Sequence, residues 1–523
     1  MSHGENHDTF HAIVVGSGAA GGWAAKTLAG HGARVLVLEA GPLLPGDHRV
    51  DRAAHDSRRQ PVQSRCSGYE LMNSHLFVDD LDNPYQTDAE APFHWFRGRQ
   101  LGGRLHLWAG VSLRMSDREF AGRPESGGAR RSWPVRHRDL APYYSRVESF
   151  MRVSGGGEHS PSAPAPTAGR RGVMTRGEQL LARAVARRWP GRQVLTSRVA
   201  AAEAGDVLAT ALHTGRVTLR SDAVVSHLEL DARGRYAEGV VFVDRLTGRS
   251  HRRRAPVIML CASAVESVRI LLNTRTPLHP DGLGNDHDLL GRYFFDHLVG
   301  PAVSGTVPDV DDLPRPLESP GFVPVCHIPD FGHDEPDNPL GFGITAFAPD
   351  TLPMSARSAD WAAKAARSGT APFRMWACGE VRARSDNRVR LAAATDAWGI
   401  PQTHIRLLYG PEEHELARRQ AAVMTEMAAA AGFRTTAVTD EPAVPGTSVH
   451  ELGGAAMGDD PARSVVDPAN RLWRAPNVLV ADGASFTTSG WQNPTLTVMA
   501  LAARAADLLA GAARSGRLEH ATR

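Results

Sequence analysis

Phe10-His11-Ala12-Ile13-Val14-Val15-Gly16-Ser17-Gly18-Ala19-Ala20-Gly21 is the stretch whose reading decides the fold. An apolar run enters a Gly-x-Gly-x-x-Gly turn, an Ala-rich helical pattern follows to Gly30, and a second apolar run, Val35 to Leu38, ends at Glu39. The order strand, turn, helix, strand is complete. Gly16 allows the tight turn, Gly18 lets the main chain approach a pyrophosphate, and Gly21 lets helix and strand pack closely. The helix N-terminus adds free N–H groups and partial positive charge beside Ser17 and Ala20. Glu39, followed by Ala40, stands at the second strand tip, where its carboxylate suits an adenosine 2′-hydroxyl and repels a 2′-phosphate. The unit predicts a dinucleotide of the FAD or NAD type. Glycine turns between strands and helices are common, so a purely structural turn is the competing reading of this motif alone.

At 523 residues the chain has room for two domains with ample cores. Its net charge of +2 gives no reason to expect nucleic acid or a membrane surface as partner. No window reaches the roughly 18 to 20 uninterrupted apolar residues of a membrane span. The dinucleotide strand begins by residue 10, where a cleaved secretory signal would need space. A soluble, cytoplasmic protein is expected. Lys26 and Lys364 are the only lysines among 59 basic residues, which fits codon bias better than function. Cys66, Cys261, Cys326 and Cys378 have no metal-ligand or disulfide-framework spacing.

Past Gly41 the sequence is polar and irregular to Asp80, then Phe93-His94-Trp95-Phe96-Arg97-Gly98-Arg99-Gln100-Leu101-Gly102-Gly103 sets a second glycine pair beside aromatic residues. Such a segment is either a surface loop or a close backbone approach to a flat ring. Helices are expected over 139–150, 176–188, 263–273 and 411–430, and a mobile loop over 154–172. Residues 193–260 are mainly strand-like, and strand-like runs resume at 387–391 and 404–408. Between Pro301 and Asp350, the carboxylates Asp309, Asp311, Asp312, Glu318, Asp330, Asp334, Glu335, Asp337 and Asp350 face one basic residue, Arg315. This acidic, Pro-rich insertion reads as a substrate lid or a solvated surface loop. Near the end, Val478 to Ala481 leads into Asp482-Gly483, and Asn493-Pro494 is a good N-cap and N1 pair for a helix to about Leu509.

Together these segments resemble the glucose–methanol–choline (GMC) family of FAD-dependent oxidoreductases. The likeness runs through Glu39-Ala40-Gly41, Arg97 to Gly103, Ser132-Trp133-Pro134, Ala264-Val265-Glu266-Ser267, Gly291-Arg292-Tyr293-Phe294, Asn387-Arg388-Val389, His450-Glu451 and Asn493-Pro494-Thr495-Leu496-Thr497. The His with Asn-Pro-Thr pairing is most similar to the branch of pyranose oxidases and related sugar or glycoside oxidoreductases. The resemblance implies an α/β fold, with a Rossmann-like FAD domain from residues 1–150, 190–300 and 447–523. It implies a largely antiparallel substrate domain from 301–446, with 151–189 connecting. It sets Asp482 and Gly483 at the ribityl-pyrophosphate, Val225 by the adenine through its main chain, and Leu101, Gly102 and Gly103 with the other cofactor contacts. Asn493 to Thr495 would border the flavin ring, and His450 with Asn493 would be the paired active-site positions. In branches with flavin joined to histidine, that histidine directly precedes the tryptophan matching Trp108. Here Leu107 stands there and His106 is one place earlier, so the flavin is expected to be non-covalent. Ser263 replaces a usual glycine, and Ala456 a usual arginine.

Alcohol oxidation removes a hydroxyl proton and a hydride from carbon, and a flavin takes the hydride. An imidazole with an ordinary pKa of about 6.5 suits the proton, so His450 is the expected base and Asn493 the holder of the substrate oxygen. A helix starting at Asn493 would favour negative charge on the ring. The expected substrate is a sugar or glycoside, or a cationic amino sugar such as an aminoglycoside intermediate drawn by the acidic insertion. Oxygen or another redox carrier would take the electrons. An NAD-dependent dehydrogenase, a redox-silent FAD-containing lyase and a binding protein are the other readings. The first leaves Ala481-Asp482-Gly483 and Asn493-Pro494-Thr495 without a role.

Overall fold

The structure is a computed structural model, and it describes residues 9–43, 76–78, 80, 83–122, 132–155, 160–161, 163–166, 174–196, 198–201, 205–308, 325–332, 340–349 and 371–514. The strands are β1 (Ala12–Val15), β2 (Val35–Leu38), β3 (Gln86–Thr87), β4 (Leu195–Thr196), β5 (Val217–Arg220), β6 (Ala223–Leu230), β7 (Ala237–Asp244), β8 (Ser250–Arg254) and β9 (Ile258–Leu260). They continue with β10 (Ala302–Thr306), β11 (Cys326–Phe331), β12 (Phe342–Phe347), β13 (Pro372–Gly379), β14 (Arg388–Thr395), β15 (Pro401–Arg406), β16 (Arg434–Thr439) and β17 (Val478–Val480). The α-helices are α1 (Ala19–Gly30), α2 (Asp117–Ala121), α3 (His137–Met151), α4 (Arg176–Arg188), α5 (Val207–Leu212), α6 (Ala264–Asn273), α7 (Pro411–Ala430) and α8 (Thr495–Arg514).

A five-stranded parallel sheet in the order β17-β9-β1-β2-β5 gathers N-terminal, middle and C-terminal segments. The apolar runs Ala12–Val15, Val35–Leu38, Ile258–Leu260 and Val478–Val480 are buried throughout, as strands covered on both faces require. The strand order reverses at β1, and the crevice at the carboxyl ends beside such a switch point is where open α/β sheets bind ligands. Helix α1 packs under this sheet and against α8, which also meets α3. By length and composition α8 is long and apolar enough to cross a membrane, yet most of that stretch is buried inside the protein. Trp23 of α1 is fully buried, with its ring edge-on to Phe150 at 5.4 Å.

The second sheet, β16-β10-β13-β12-β11-β4, is antiparallel at every pairing. Most of it falls within 301–446, but Leu195–Thr196 joins it through Cys326 and His327. Gln86–Thr87 likewise pairs with β15. Two chain segments outside 301–446 are therefore stitched to elements inside it. The carboxylates Asp309, Asp311, Asp312, Glu318, Asp334, Glu335, Asp337 and Asp350 lie outside the described residues, as does the side chain of Asp330 and most of the expected 154–172 loop.

Segment 295–298 ties the two sheets together. Phe295 bridges to Leu452 of the C-terminal part, and Leu298 bridges to Gly379 at the end of β13. On the other flank, Gly343 of β12 makes room for Trp491, because a Cβ there would lie 2.2 Å from the indole.

Candidate active site

The N-terminal turn is built as its glycines require. Gly16 has φ +96°, and a Cβ on it would meet the Cys261 carbonyl oxygen at 2.4 Å; a Cβ on Gly21 would lie 1.9 Å from the Gly16 carbonyl oxygen. Gly18 differs. Its added Cβ would lie 3.8 Å from the Gly102 carbonyl oxygen, an ordinary van der Waals contact, so packing within the chain does not by itself require glycine there. Opposite stand Gly102 and Gly103, whose turn is tied down by the Gly102 N–H donating to Ser17 Oγ at 3.0 Å. The first N–H groups of α1 lack intrahelical acceptors, so the cradle fits a pyrophosphate. The expected residues Gly16, Ser17, Gly18, Ala20, Gly21, Leu101, Gly102 and Gly103 are thus brought together.

Glu39 is buried and shares the site, but most of its bonding is internal. It accepts from Ser17 N and Oγ at 3.0 and 2.5 Å and from Gly41 N at 2.9 Å. A carboxylate has about four acceptor positions, so one direction remains for a ribose hydroxyl. Burial raises its pKa, and those hydrogen bonds oppose the rise. Ala40 packs beside Val224, Val243 and Ile400. Val225 lies on β6, whose Ala223 N donates to the Glu39 carbonyl at 2.8 Å, and its own carbonyl accepts from Arg269 Nη2 at 2.8 Å.

At the end of β17, Asp482 accepts from Ser267 Oγ at 2.5 Å and from Ala484 N at 2.9 Å. Burial pushes its pKa up to about 6. The Gly483 carbonyl accepts from Gly453 N at 2.9 Å, so this turn lies against the segment that follows His450. Ser263 opens α6 at φ +81° and ψ +161°, a conformation that glycine adopts without strain.

His450 and Asn493, separated by 43 residues, are in contact: Asn493 Nδ2 lies 3.1 Å from His450 Nε2. The expected cap is displaced by one residue. Helix α8 begins at Thr495, and the Pro494 carbonyl takes its first bond from Val498 N, while the Asn493 amide turns to the imidazole. On the other side of the ring, His450 Nδ1 is 3.1 Å from His297 Nδ1, and His297 Nε2 donates to the Gly490 carbonyl at 2.7 Å. Desolvation lowers both imidazole pKa values, His450 well below its ordinary value and His297 to about 4. The neighbouring His297 and Arg104 lower that of His450 further. An imidazole held neutral between an amide and another imidazole can accept a proton at one nitrogen.

The loop carrying His450 is held from several directions. Asp296 accepts from Gly446 N at 2.7 Å, from Ser448 Oγ, and from His297 N at 2.8 Å. Its carboxyl is fully buried and its pKa is pushed up to about 6 by that burial. Val449 has φ +59°, a costly conformation for a β-branched residue. Arg104 Nη1 holds it, donating to Val449 O at 3.0 Å and to Glu451 Oε2 at 2.5 Å. Sequence reading missed Asp296, His297 and Arg104. The signal was there: Asp296-His297 directly continues Tyr293-Phe294-Phe295, and two polar residues on a buried aromatic run need partners.

Residues 383–502 match the GMC oxidoreductase family. The chain is 29% identical to 6′′′-hydroxyparomomycin C oxidase of Streptomyces lividus, over 97% of this chain and 92% of that protein. It is 28% identical to paromamine 6′-oxidase of Streptomyces fradiae, over 95% and 91%. The fold superimposes on the crystal structure of pyridoxine 4-oxidase from Mesorbium loti with a TM-score of 0.62, covering 96% of this chain and 99% of that one at 18% identity.

Proposed function

We propose that the chain, whose residues 383–502 match the GMC oxidoreductase family, oxidises a CH–OH group of a sugar, glycoside or amino sugar, with an aminoglycoside intermediate favoured. The observation that carries the reading is the contact of His450 Nε2 with the Asn493 amide, beside a turn joined by Arg104 to the Gly102–Gly103 cradle. Two relatives that span nearly the whole chain are named as oxidases of paromamine-type compounds, which supports the amino-sugar preference. The excess of carboxylates between Pro301 and Asp350 supports it as well, since they would attract a cationic substrate.

Bound FAD supplies the acceptor for the hydride lost from the substrate carbon. His450 Nε2 takes the hydroxyl proton, breaking O–H and forming N–H. Asn493, whose amide holds that nitrogen at rest, donates instead to the substrate oxygen and fixes it opposite the base. Both imidazole and carboxamide are half-buried, so the proton moves where water competes weakly. Gly16 to Gly21 with Leu101 to Gly103 would hold the pyrophosphate, Glu39 and Ala40 the adenosine, and Asp482, Gly483 and Thr495 the remainder. The flavin is non-covalent in this reading, because Leu107 directly precedes Trp108, and the nearby His106 has its Nε2 2.8 Å from the Leu101 carbonyl.

The test is anaerobic mixing of the yellow protein with neutral sugars and with amino sugars, followed by air or a dye to identify the electron acceptor. Amino sugars should bleach the flavin fastest, with the advantage shrinking as salt is raised. Replacing His450 with Ala should keep the colour and slow bleaching on the order of a hundredfold or more, and acid precipitation should leave the flavin in the supernatant. Unchanged bleaching in that variant would remove His450 as the base, and equal salt responses would remove the cationic substrate.

A further inference from the structure

We propose that His297 is a positioning residue that fixes the tautomer of His450, so that the Nε2 lone pair of His450 is the one presented to substrate. The inference rests on the reading of His450 as the base. It starts from the Gly490 carbonyl, which can only accept: the 2.7 Å contact from His297 Nε2 therefore carries a proton on that nitrogen. A neutral imidazole has one N–H, so His297 Nδ1 is bare. His450 Nδ1, 3.1 Å away, must then be the donor. That leaves His450 Nε2 unprotonated, and the Asn493 amide nitrogen at 3.1 Å is the donor such an atom needs.

The three donors thus point in one direction, from Asn493 and His450 through His297 to the Gly490 carbonyl. The arrangement matters because an unconstrained histidine side chain favours the opposite tautomer, with its proton on Nε2, where it would block proton abstraction. His297 is fully buried with its ring nearly perpendicular to that of His450, at 86° and 5.0 Å between centroids, so its alternatives are few. Its backbone is held as well: its N–H donates to Asp296 Oδ1 at 2.8 Å, and Tyr409 Oη donates to its carbonyl at 3.5 Å. When His450 takes a proton at Nε2, its Nδ1–H keeps the same partner and the bond becomes charge-assisted. The charged and titratable neighbours of the pair are Asp296, Glu451, Arg104, Tyr409 and Cys378.

The decisive measurement is the ring-nitrogen NMR of holoenzyme labelled with 15N-histidine, the His450 signals being assigned by their absence in His450→Gln. The native enzyme should show His450 neutral with its proton on Nδ1. In His297→Leu the His450 signals should move towards the Nε2–H form, and kcat should fall on the order of tenfold or more with KM moving less. His297→Asn, whose Oδ1 can take the place of Nδ1 and accept the same bond, should restore both tautomer and most of kcat. Finding His450 with its proton on Nε2 in the native enzyme overturns the proposal. So does a His297→Leu enzyme with unchanged tautomer and rate. If the Leu variant does not fold, the native spectrum and the Asn variant decide alone. An unchanged rate in His450→Ala would instead overturn the base assignment, leaving the tautomer to be judged by the native spectrum.

Discussion

His327 shows what burial does to an imidazole outside that relay. It is 1% exposed; its Nδ1 lies 3.1 Å from Thr345 Oγ1, and its Nε2 has no hydrogen-bond partner among the described residues. Desolvation, with a smaller push from Arg198, lowers its pKa to about 3 from an ordinary 6.5. The sign of the consequence is fixed. Because the unfolded chain binds this proton below about pH 6.5 and the folded one does not until about pH 3, stability drains away as pH falls through that window. The slope from one such group is at most about 1.4 kcal/mol per pH unit. His327→Phe keeps the volume and removes the titration. Its urea midpoint should match or exceed that of the parent at pH 7, and the advantage should grow as pH is lowered from 6.5 to 4. Parallel midpoint curves would show that His327 titrates normally. Ser263 is a residue-scale feature of another kind. Its sequence signal was a serine where the resembling family has glycine, and its φ of +81° gives the physical reason for the usual residue.

Among the elements, the β1–α1 turn holds two roles within one motif. Gly21 is a packing glycine and Gly18 a cradle glycine, as the motif implies, and the structure gives that division a measure, 1.9 Å against 3.8 Å for an added Cβ. Gly18→Ala should therefore yield a folded protein, with an unchanged melting temperature after flavin removal, that no longer retains flavin. Gly21→Ala should lose roughly 1 to 3 kcal/mol or more of stability even without flavin. Equal behaviour of the two, judged by flavin content and apoprotein melting, would deny the distinction. The motif itself was legible in sequence, as were α1, α4 and α7, which end where periodicity and turn residues placed them. Most of the second sheet was not. β10 and β12 carry Gly305 and Gly343 within strand, β16 is a mostly exposed edge with no buried face, and β11 and β12 were hidden in a segment read by its charge. β13 did carry a usable signal, with Phe373, Met375 and Ala377 buried and Arg374, Trp376 and Cys378 half-buried in strict alternation. The candidate site divided the same way: His450 and Asn493 were visible as motif positions. Asp296 and His297 were not, because their partners lie about 150 to 190 residues away and only the fold brings them near.

Across the whole molecule, one guanidinium joins the two ends of the chain at the site. Arg104 stands in the turn after Gly102–Gly103 and reaches Val449 and Glu451, 345 and 347 residues further on. It therefore has two separable effects on His450. One is geometric: its bond to the Val449 carbonyl holds a left-handed valine whose strain is of order 1 to 3 kcal/mol, and the imidazole follows in the next residue. The other is electrostatic, since its charge disfavours the imidazolium and so lowers the His450 pKa, after burial and His297. Arg104→Met removes both. Its kcat/KM should drop roughly tenfold at neutral pH through misplacement of the base, and the acid limb of its pH profile should move to higher pH, because a less disfavoured imidazolium persists further up the scale. Arg104→Lys keeps the charge and loses the forked reach, so its rate should fall while its acid limb stays near that of the parent. Measuring the two profiles at matched flavin content separates the effects. If both variants shifted the limb equally, the charge would not be acting on His450; if neither lost rate, the bond to Val449 would not be holding the base in place.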